Sequence, residues 1–349
     1  MKKILIAGFA ATTMFFSCKK AADVPATPQV GAVQADALVQ NAPSTSVSFG
    51  SSHPCGLAVS KKGKVAVSTY EGDNSPGNID IWFKFSDFLA NKAPNSTFQI
   101  IDPEAIAFDA NEALFISSTV PDQIFYKKDV TANVTSAPVT FIGDPTSPAS
   151  IGNPRGLTFD DANNLIAVYE GYGAFNSAVY KFSNPVSGPL TATLLIGQSS
   201  LMGARSLGVA IGHTLGGASQ LTYVTNYGTG TSATQNVKEF TDVTPIPYPV
   251  NHTTANNGGI VFDIAITNDV SHQSLDTIYC TAAINGKCYL EWQLIPGFKP
   301  FSNLQQPICT ENGFDAWGVA TFGQYVVVAD APENKVKVFL KKDLSFYSL

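Results

Sequence analysis

The chain has 349 residues, a formal net charge of -6 and only 14% charged residues, with 28 glycines, 21 prolines and five cysteines. This lightly charged, acidic balance excludes nucleic acid as a partner, because that contact needs a basic footprint, and it suits a rigid exported β protein.

Met1-Lys2-Lys3 and the apolar run from Ile4 to Phe16 have the charged start and short apolar middle of a secretory signal peptide, residues 1–17. The run is too short for a stable membrane span. It ends in Phe15-Phe16-Ser17-Cys18, which resembles the lipobox of bacterial lipoproteins and implies lipidation of Cys18. Several acyl chains on one residue attach a protein stably to a membrane. The following Lys19-Lys20 makes the junction similar to those of Bacteroidota envelope lipoproteins, so the expected location is the cell envelope, as an outer-membrane lipoprotein. Residues 18–43, rich in Ala, Val, Pro and Gln, read as a lipidated cysteine and flexible tether, and residues 44–349 as one domain.

From residue 44 onward a unit recurs: a turn with Pro or Arg, a short apolar strand, a second strand, a polar loop and a third strand. Its clearest copies are His53-Pro54-Cys55-Gly56-Leu57, Asp102-Pro103-Glu104-Ala105-Ile106 and Asn153-Pro154-Arg155-Gly156-Leu157. Weaker copies begin at Ser206, Asp263 and Gly318, and the starts at 56, 105, 156, 206, 263 and 318 lie 49, 51, 50, 57 and 55 residues apart. In the third unit, Leu165–Tyr169, Ala178–Phe182 and Thr191–Ile196 are apolar, β-branched strands between turn-forming residues, and no helical period interrupts the pattern. The last unit has room for three strands before Leu349, so Ser46-Val47-Ser48-Phe49 is expected to supply its fourth. The fold class is all-β, a six-bladed β-propeller whose ring is closed by an N-terminal strand joining the last blade.

The sixth unit, with Trp317-Gly318-Val319-Ala320 and then Val327 to Phe339 containing Ala329-Asp330, Asn334 and Lys335, resembles an NHL repeat. The resemblance supports the propeller fold and implies little about function.

In such a propeller the loops leading into the innermost strands and those joining second to third strands share one face. This gathers Glu104, Arg155, Arg205 and Trp317 from the first set, and Tyr70, Glu71, Tyr169, Glu170, Asn226, Tyr227 and Asp330 from the second. Tyr70-Glu71-Gly72 and Tyr169-Glu170-Gly171 stand at matching places, and Asn226-Tyr227-Gly228 is a variant of them. Aromatic rings can stack on a ligand while acids, amides and guanidinium groups fix its polar groups. The expected function is a ligand- or protein-binding scaffold without catalysis or cofactor, for a glycan, peptide or envelope protein, attached to the membrane by its lipid. The alternative is a metal-dependent lactonase at the channel mouth. Propeller lactonases of the gluconolactonase type hold a divalent cation on oxygen ligands, and Glu104, Asn226 and Asp330 could imitate that set, against the positive charge of Arg155 and Arg205.

The four histidines lack metal-ligand spacing and read as surface residues, and Asp73, Asn74 and Asp80 as a solvated loop rather than a calcium site. Cys55 with Cys309 could pin neighbouring blades, and Cys280 with Cys288 could pair across a hairpin, although a turn at Asn285-Gly286 sets Cys280 opposite Glu291. Buried free thiols are the other possibility for both pairs.

Overall fold

The computed structural model describes residues 43–72, 74–120, 122–131, 140–142, 153–170, 177–183, 185, 191–197, 205–213, 219–227, 236–241, 250–255, 260–267, 277–284, 287–294, 305–308 and 316–344. The signal segment, Cys18 and the tether as far as residue 42 lie outside them.

The strands are β1 Thr45–Ser48, β2 His53–Val59, β3 Val65–Tyr70, β4 Pro76–Trp82, β5 Ser96–Ile101, β6 Pro103–Phe108, β7 Leu114–Ser118 and β8 Gln123–Lys127. They continue as β9 Thr140–Ile142, β10 Asn153–Phe159, β11 Leu165–Glu170, β12 Ala178–Ser183, β13 Thr191–Ile196, β14 Arg205–His213, β15 Gln220–Tyr227 and β16 Asn236–Thr241. The remainder are β17 Val250–Ala255, β18 Ile260–Ile266, β19 Thr277–Ile284, β20 Lys287–Leu294, β21 Gln305–Pro307, β22 Ala316–Phe322, β23 Tyr325–Asp330 and β24 Lys335–Leu340. Among the described residues they group into six four-stranded antiparallel sheets. Sheets one to five take successive strands, β2–β5, β6–β9, β10–β13, β14–β17 and β18–β21, while sheet six has the order β1-β24-β23-β22.

The N-terminal strand pairs with β24, with Thr45 opposite Val338 and Ser48 opposite Lys335, one residue earlier than the expected Ser46–Phe49. A five-residue helix, Phe85–Leu89, interrupts the strand pattern in sheet one. Its Phe85 and Phe88 pack with Trp82 and with Phe322 of sheet six. One turn and a half is too short to leave a helical period in the sequence.

Strands with apolar residues on both faces need a sheet on either side. The buried side chains satisfy this in six clusters, each drawn mainly from two successive sheets. One joins sheets one and two through Ile79, Ile81, Ile106 and Ile116; the next, around Phe115, Leu165 and Phe182, joins sheets two and three. The series continues to a cluster of Val47, Val327 and Val338 of sheet six with Val65 and Val67 of sheet one. The first strand of each sheet also lies against the first strand of the next, and β22 lies against β2.

At one level every first strand carries a bulge, two residues facing one on the second strand. The pairs are Cys55-Gly56, Glu104-Ala105, Arg155-Gly156, Leu207-Gly208, Phe262-Asp263 and Trp317-Gly318. The unit start in sheet four is therefore Gly208 and not Ser206, which evens the spacing around it from 50 and 57 residues to 52 and 55. The second bulge residue is small where sheets come close: a Cβ on Gly56 would stand 1.9 Å from the Glu104 carbonyl oxygen, and one on Gly318 2.3 Å from that of Cys55.

A hydroxyl opposite the bulge ties neighbouring sheets together in four of the six. Ser68 accepts from the Gly56 amide and donates to the Glu104 carbonyl at 3.0 Å, and Ser117 accepts from Ala105 and donates to Arg155 at 3.1 Å. Thr225 and Thr281 do the same toward Phe262 and Trp317. Val168 and Ala329 occupy the position in sheets three and six, where no hydroxyl is available.

Candidate functional site

The first residue of all six bulges lines one cavity of about 600 Å³: Cys55, Glu104, Arg155, Leu207, Phe262 and Trp317. Since the bulge repeats at one level, these six side chains form a tier, polar over sheets one to three and apolar over sheets four to six. Asp263, the second bulge residue of sheet five, also lines the cavity.

In the polar half Arg155 donates through Nη1 to Glu104 and through Nε to Glu170. Glu104 and Glu170 are 8% and 2% exposed, so the guanidinium offsets two buried carboxylates at once. Burial pushes the Glu104 carboxyl up to about 7; Arg155 opposes the shift, and the nearby Asp102 and Glu170 reinforce it. Burial likewise pushes Asp263 up to about 7, against amide donation from Val319 at 2.9 Å and from Ile264. Five sheets have Gly or Ala where Asp263 stands, and its Oδ2 reaches across to the Val319 amide of sheet six. Cys55 is 2% exposed, donates to the Pro103 carbonyl at 3.2 Å and is pushed up to about 12 by burial and by the charge of Glu104. Its thiol stays protonated and is no nucleophile near neutral pH.

The apolar half is aromatic. Trp317 lies between Phe262, with ring centroids 5.9 Å apart, and Tyr70, 6.2 Å apart, both near parallel at 20° and 18°. The three rings come from sheets five, six and one and form a continuous wall.

Of the residues read from the sequence, Glu104, Arg155, Glu170, Trp317 and Tyr70 meet in or beside this tier. Others do not. Tyr70 pairs with His53, whereas Tyr169 pairs with Pro154 and Glu170 with Asn153. The matching residue to Tyr70 is thus Glu170, and the two triplets are offset by one. A one-residue offset exchanges the faces of a strand, so Tyr169 turns into the core between sheets two and three and packs edge-on against Tyr180. Glu71 lies beyond the end of β3 and is exposed.

Arg205 precedes the bulge of sheet four, where Leu207 takes the place matching Arg155. Its side chain lies outside the described residues, as do those of Asn226 and Tyr227. By register Tyr227 corresponds to Tyr70, while Asn226 corresponds to Tyr169 and Asp330. Asp330 is fully buried and ion-paired with Lys337 at 2.6 Å, away from the cavity lining. Cys55, Leu207, Phe262 and Asp263 were missed as site residues. The signal that could have found them is the pair ahead of each β-branched or Leu residue, aligned on the second bulge position rather than on the preceding turn.

A lactonase-type metal set does not fit. Glu104 is held by Arg155, Asp330 is held by Lys337, and among the described residues no three His, Cys, Asp or Glu side chains converge as metal ligands. Asp80 stands in β4 and not in the expected loop, where it accepts from the Thr97 hydroxyl at 2.6 Å, and Asp73 lies outside the described residues.

Neither weighed cysteine bridge forms, because Cys55 and Cys280 are free buried thiols. Cys280 does stand opposite Glu291, with Ala283 opposite Cys288, so the hairpin register separates that pair. Cys288 is disulfide-bonded, and Cys309 lies outside the described residues. His213 is not a surface residue: it is 7% exposed at the end of β14, and its Nε2 is 2.7 Å from the Asp161 carboxylate.

No protein-family model matches the chain, and no curated protein matches it. Among solved structures, the periplasmic gluconolactonase PpgL of Pseudomonas aeruginosa is similar at 15% identity and a TM-score of 0.52, over 82% of this chain and 81% of that one. A structural-genomics target named as a candidate gluconolactonase is similar at 8% identity and a TM-score of 0.52, over 86% of this chain and 95% of that one. Virginiamycin B lyase of Staphylococcus aureus is similar at 11% identity and a TM-score of 0.49, over 85% and 98%. At such identities the first two likenesses speak to the fold alone, a β-propeller.

Proposed function

We propose that this chain is an envelope-anchored, six-bladed propeller that binds a small molecule in the tiered cavity and hydrolyses it, as a metal-independent esterase of lactone-like substrates. Six four-stranded sheets, a shared cluster between sheets six and one, and the pairing of β1 with β24 support the closed six-bladed reading. The observation that carries the function is the presence of two carboxyls, Glu104 and Asp263, on the wall of one cavity beside Phe262 and Trp317.

Both carboxyls sit up at about 7, so near neutrality each is available as acid and as base. In ester hydrolysis one carboxylate takes a proton from the attacking water as its oxygen bonds to the carbonyl carbon. The other carboxyl gives a proton to the ring oxygen as the carbon–oxygen bond breaks. Arg155 is a positioning residue in this scheme, since it holds Glu104. The lactonases of similar fold make a sugar lactone the first substrate to try.

The test is pH-stat hydrolysis of a panel of sugar lactones and aryl esters with and without a chelator. The expected result is turnover that survives the chelator and falls about 100-fold in Glu104→Gln and in Asp263→Asn. Chelator-sensitive turnover would overturn the metal-free scheme. Ligand binding with no turnover of any ester would instead favour a binding module for a glycan, peptide or envelope protein. The aromatic wall of Tyr70, Trp317 and Phe262 supports that second reading, because stacking needs no chemistry.

The anchor belongs to the same proposal. The apolar run ending at Cys18 and the basic pair after it support export and lipidation. Wild-type protein is expected in the membrane fraction and Cys18→Ala in the soluble fraction; an unchanged distribution would remove the anchor.

A further inference from the structure

We infer that this cavity selects a ligand bearing an organic cation, an amine on or beside a ring. The inference takes its cavity from the function proposed above but concerns binding only, so it stands or falls without turnover.

The charge balance of the site is the starting point. Arg155 is the only Lys, Arg or His in the lining among the described residues, and both of its bonded faces are already taken by Glu104 and Glu170. An incoming carboxylate or phosphate therefore meets a guanidinium already shared between two acids. Two further acids act on the same group of charges. Asp102, 6% exposed, repels Glu104 and has an Oδ1 with no hydrogen-bond partner, its Oδ2 taking the Thr119 hydroxyl. Asp122 is drawn to Arg155. Across the cavity Asp263 adds another carboxyl, which accepts from the backbone amides of Val319 and Ile264. Cys55 adds no positive charge to offset any of these.

The rings supply the second, independent argument. Phe262 and Trp317 line the cavity and Tyr70 extends their wall, and because both faces of Trp317 are covered by these two neighbours the wall offers an apolar surface for a ligand's ring. Acids on one half of the tier and an apolar wall on the other fit a ring that carries an amine. A neutral ligand gains the apolar contact alone. An anion meets the acids of the other half.

Three probes that share one ring separate these cases: 2-phenylethylamine, 2-phenylethanol and 3-phenylpropanoate, titrated into the full chain by calorimetry with Trp317 emission as a second readout. The amine is expected to bind at least about tenfold more tightly than the alcohol, and the propanoate more weakly than either. The preference should shrink as salt rises from about 0.05 to 0.5 M, a measurement on the wild type that needs no variant. It should shrink again in Glu104→Gln, or in Glu170→Gln if the first variant folds poorly. Equal or tighter binding of the alcohol or the propanoate, or no binding of the amine up to millimolar concentration, would overturn the inference. Amine preference without hydrolysis of any ester would leave it intact and remove the enzyme. Hydrolysis of neutral lactones without amine preference would do the reverse.

Discussion

Arg155→Met is expected to destabilise the protein by about 3 kcal/mol and lower its melting temperature by roughly 6 °C. Arg155 is the shared partner of Glu104 and Glu170, whose side chains are 9% and 3% exposed. Its removal leaves two carboxylates facing each other in a place that water reaches poorly, and the cost is that of uncompensated buried charge rather than of one lost ion pair. The deficit should depend on pH. Glu104 is raised from 4.5 to about 7 in the folded protein, so the folded state binds more protons than the unfolded one between those values. The stability this supplies is fully present below 4.5 and is lost as pH rises through 7; Asp263, raised from 3.8 to about 7, acts in the same direction. The Arg155→Met deficit should therefore be largest near pH 8 and shrink toward pH 5, where the Glu104 carboxyl can protonate. Adding Glu104→Gln to the variant should recover much of the loss. Thermal melts across pH 5 to 8 check this, and a single variant that melts like the wild type would mean that the three charges are solvated and independent.

Gly56→Ala is expected to cost about 3 kcal/mol and to disturb the site as well. The new methyl would stand 1.9 Å from the Glu104 carbonyl oxygen and 2.6 Å from the Ser68 hydroxyl. Neither neighbour is the free end of a flexible side chain, so sheets one and two must part. The bridge from Ser68 to the Glu104 carbonyl opens with them, and Glu104 moves in the tier. Ala105→Gly is the matching control: its site already accommodates a Cβ, and the change should cost no more than about 1 kcal/mol. Calorimetric melts of both variants, with ligand titration of Gly56→Ala, measure the two effects. Equal melting temperatures for Gly56→Ala and wild type would show that the seam between these sheets yields at little cost.

These expectations rest on features that the sequence revealed unequally. The succession of short apolar strands between Gly-, Pro- and Asn-rich turns follows from local residue types, and so do the unit starts at Gly56, Ala105, Gly156, Asp263 and Gly318. The strand partner of the last unit was legible to within one residue, because a unit with three strands leaves an edge to cover; Ser46–Phe49 was expected there and Thr45–Ser48 pairs. Glu104, Arg155 and Trp317 could be placed near one another because each precedes a small residue at a unit start.

What tertiary structure alone decided is the face on which each of two adjacent residues falls. A strand alternates its side chains with a period of two, and a bulge shifts that alternation by one without leaving a strong mark in composition. For this reason Glu170 and not Tyr169 joins the site, and Leu207 stands where an arginine was expected. The same holds for partners: Arg155 meets Glu104 across 51 positions of sequence, and Ser68 meets the Glu104 carbonyl across 36, by packing between sheets. The sequence by itself determined the repeated strands and their order. The bulges and the contacts between sheets determined the tier of side chains, because a residue's partner across a seam depends on register and approach distance, and neither is written in the residues of a single unit.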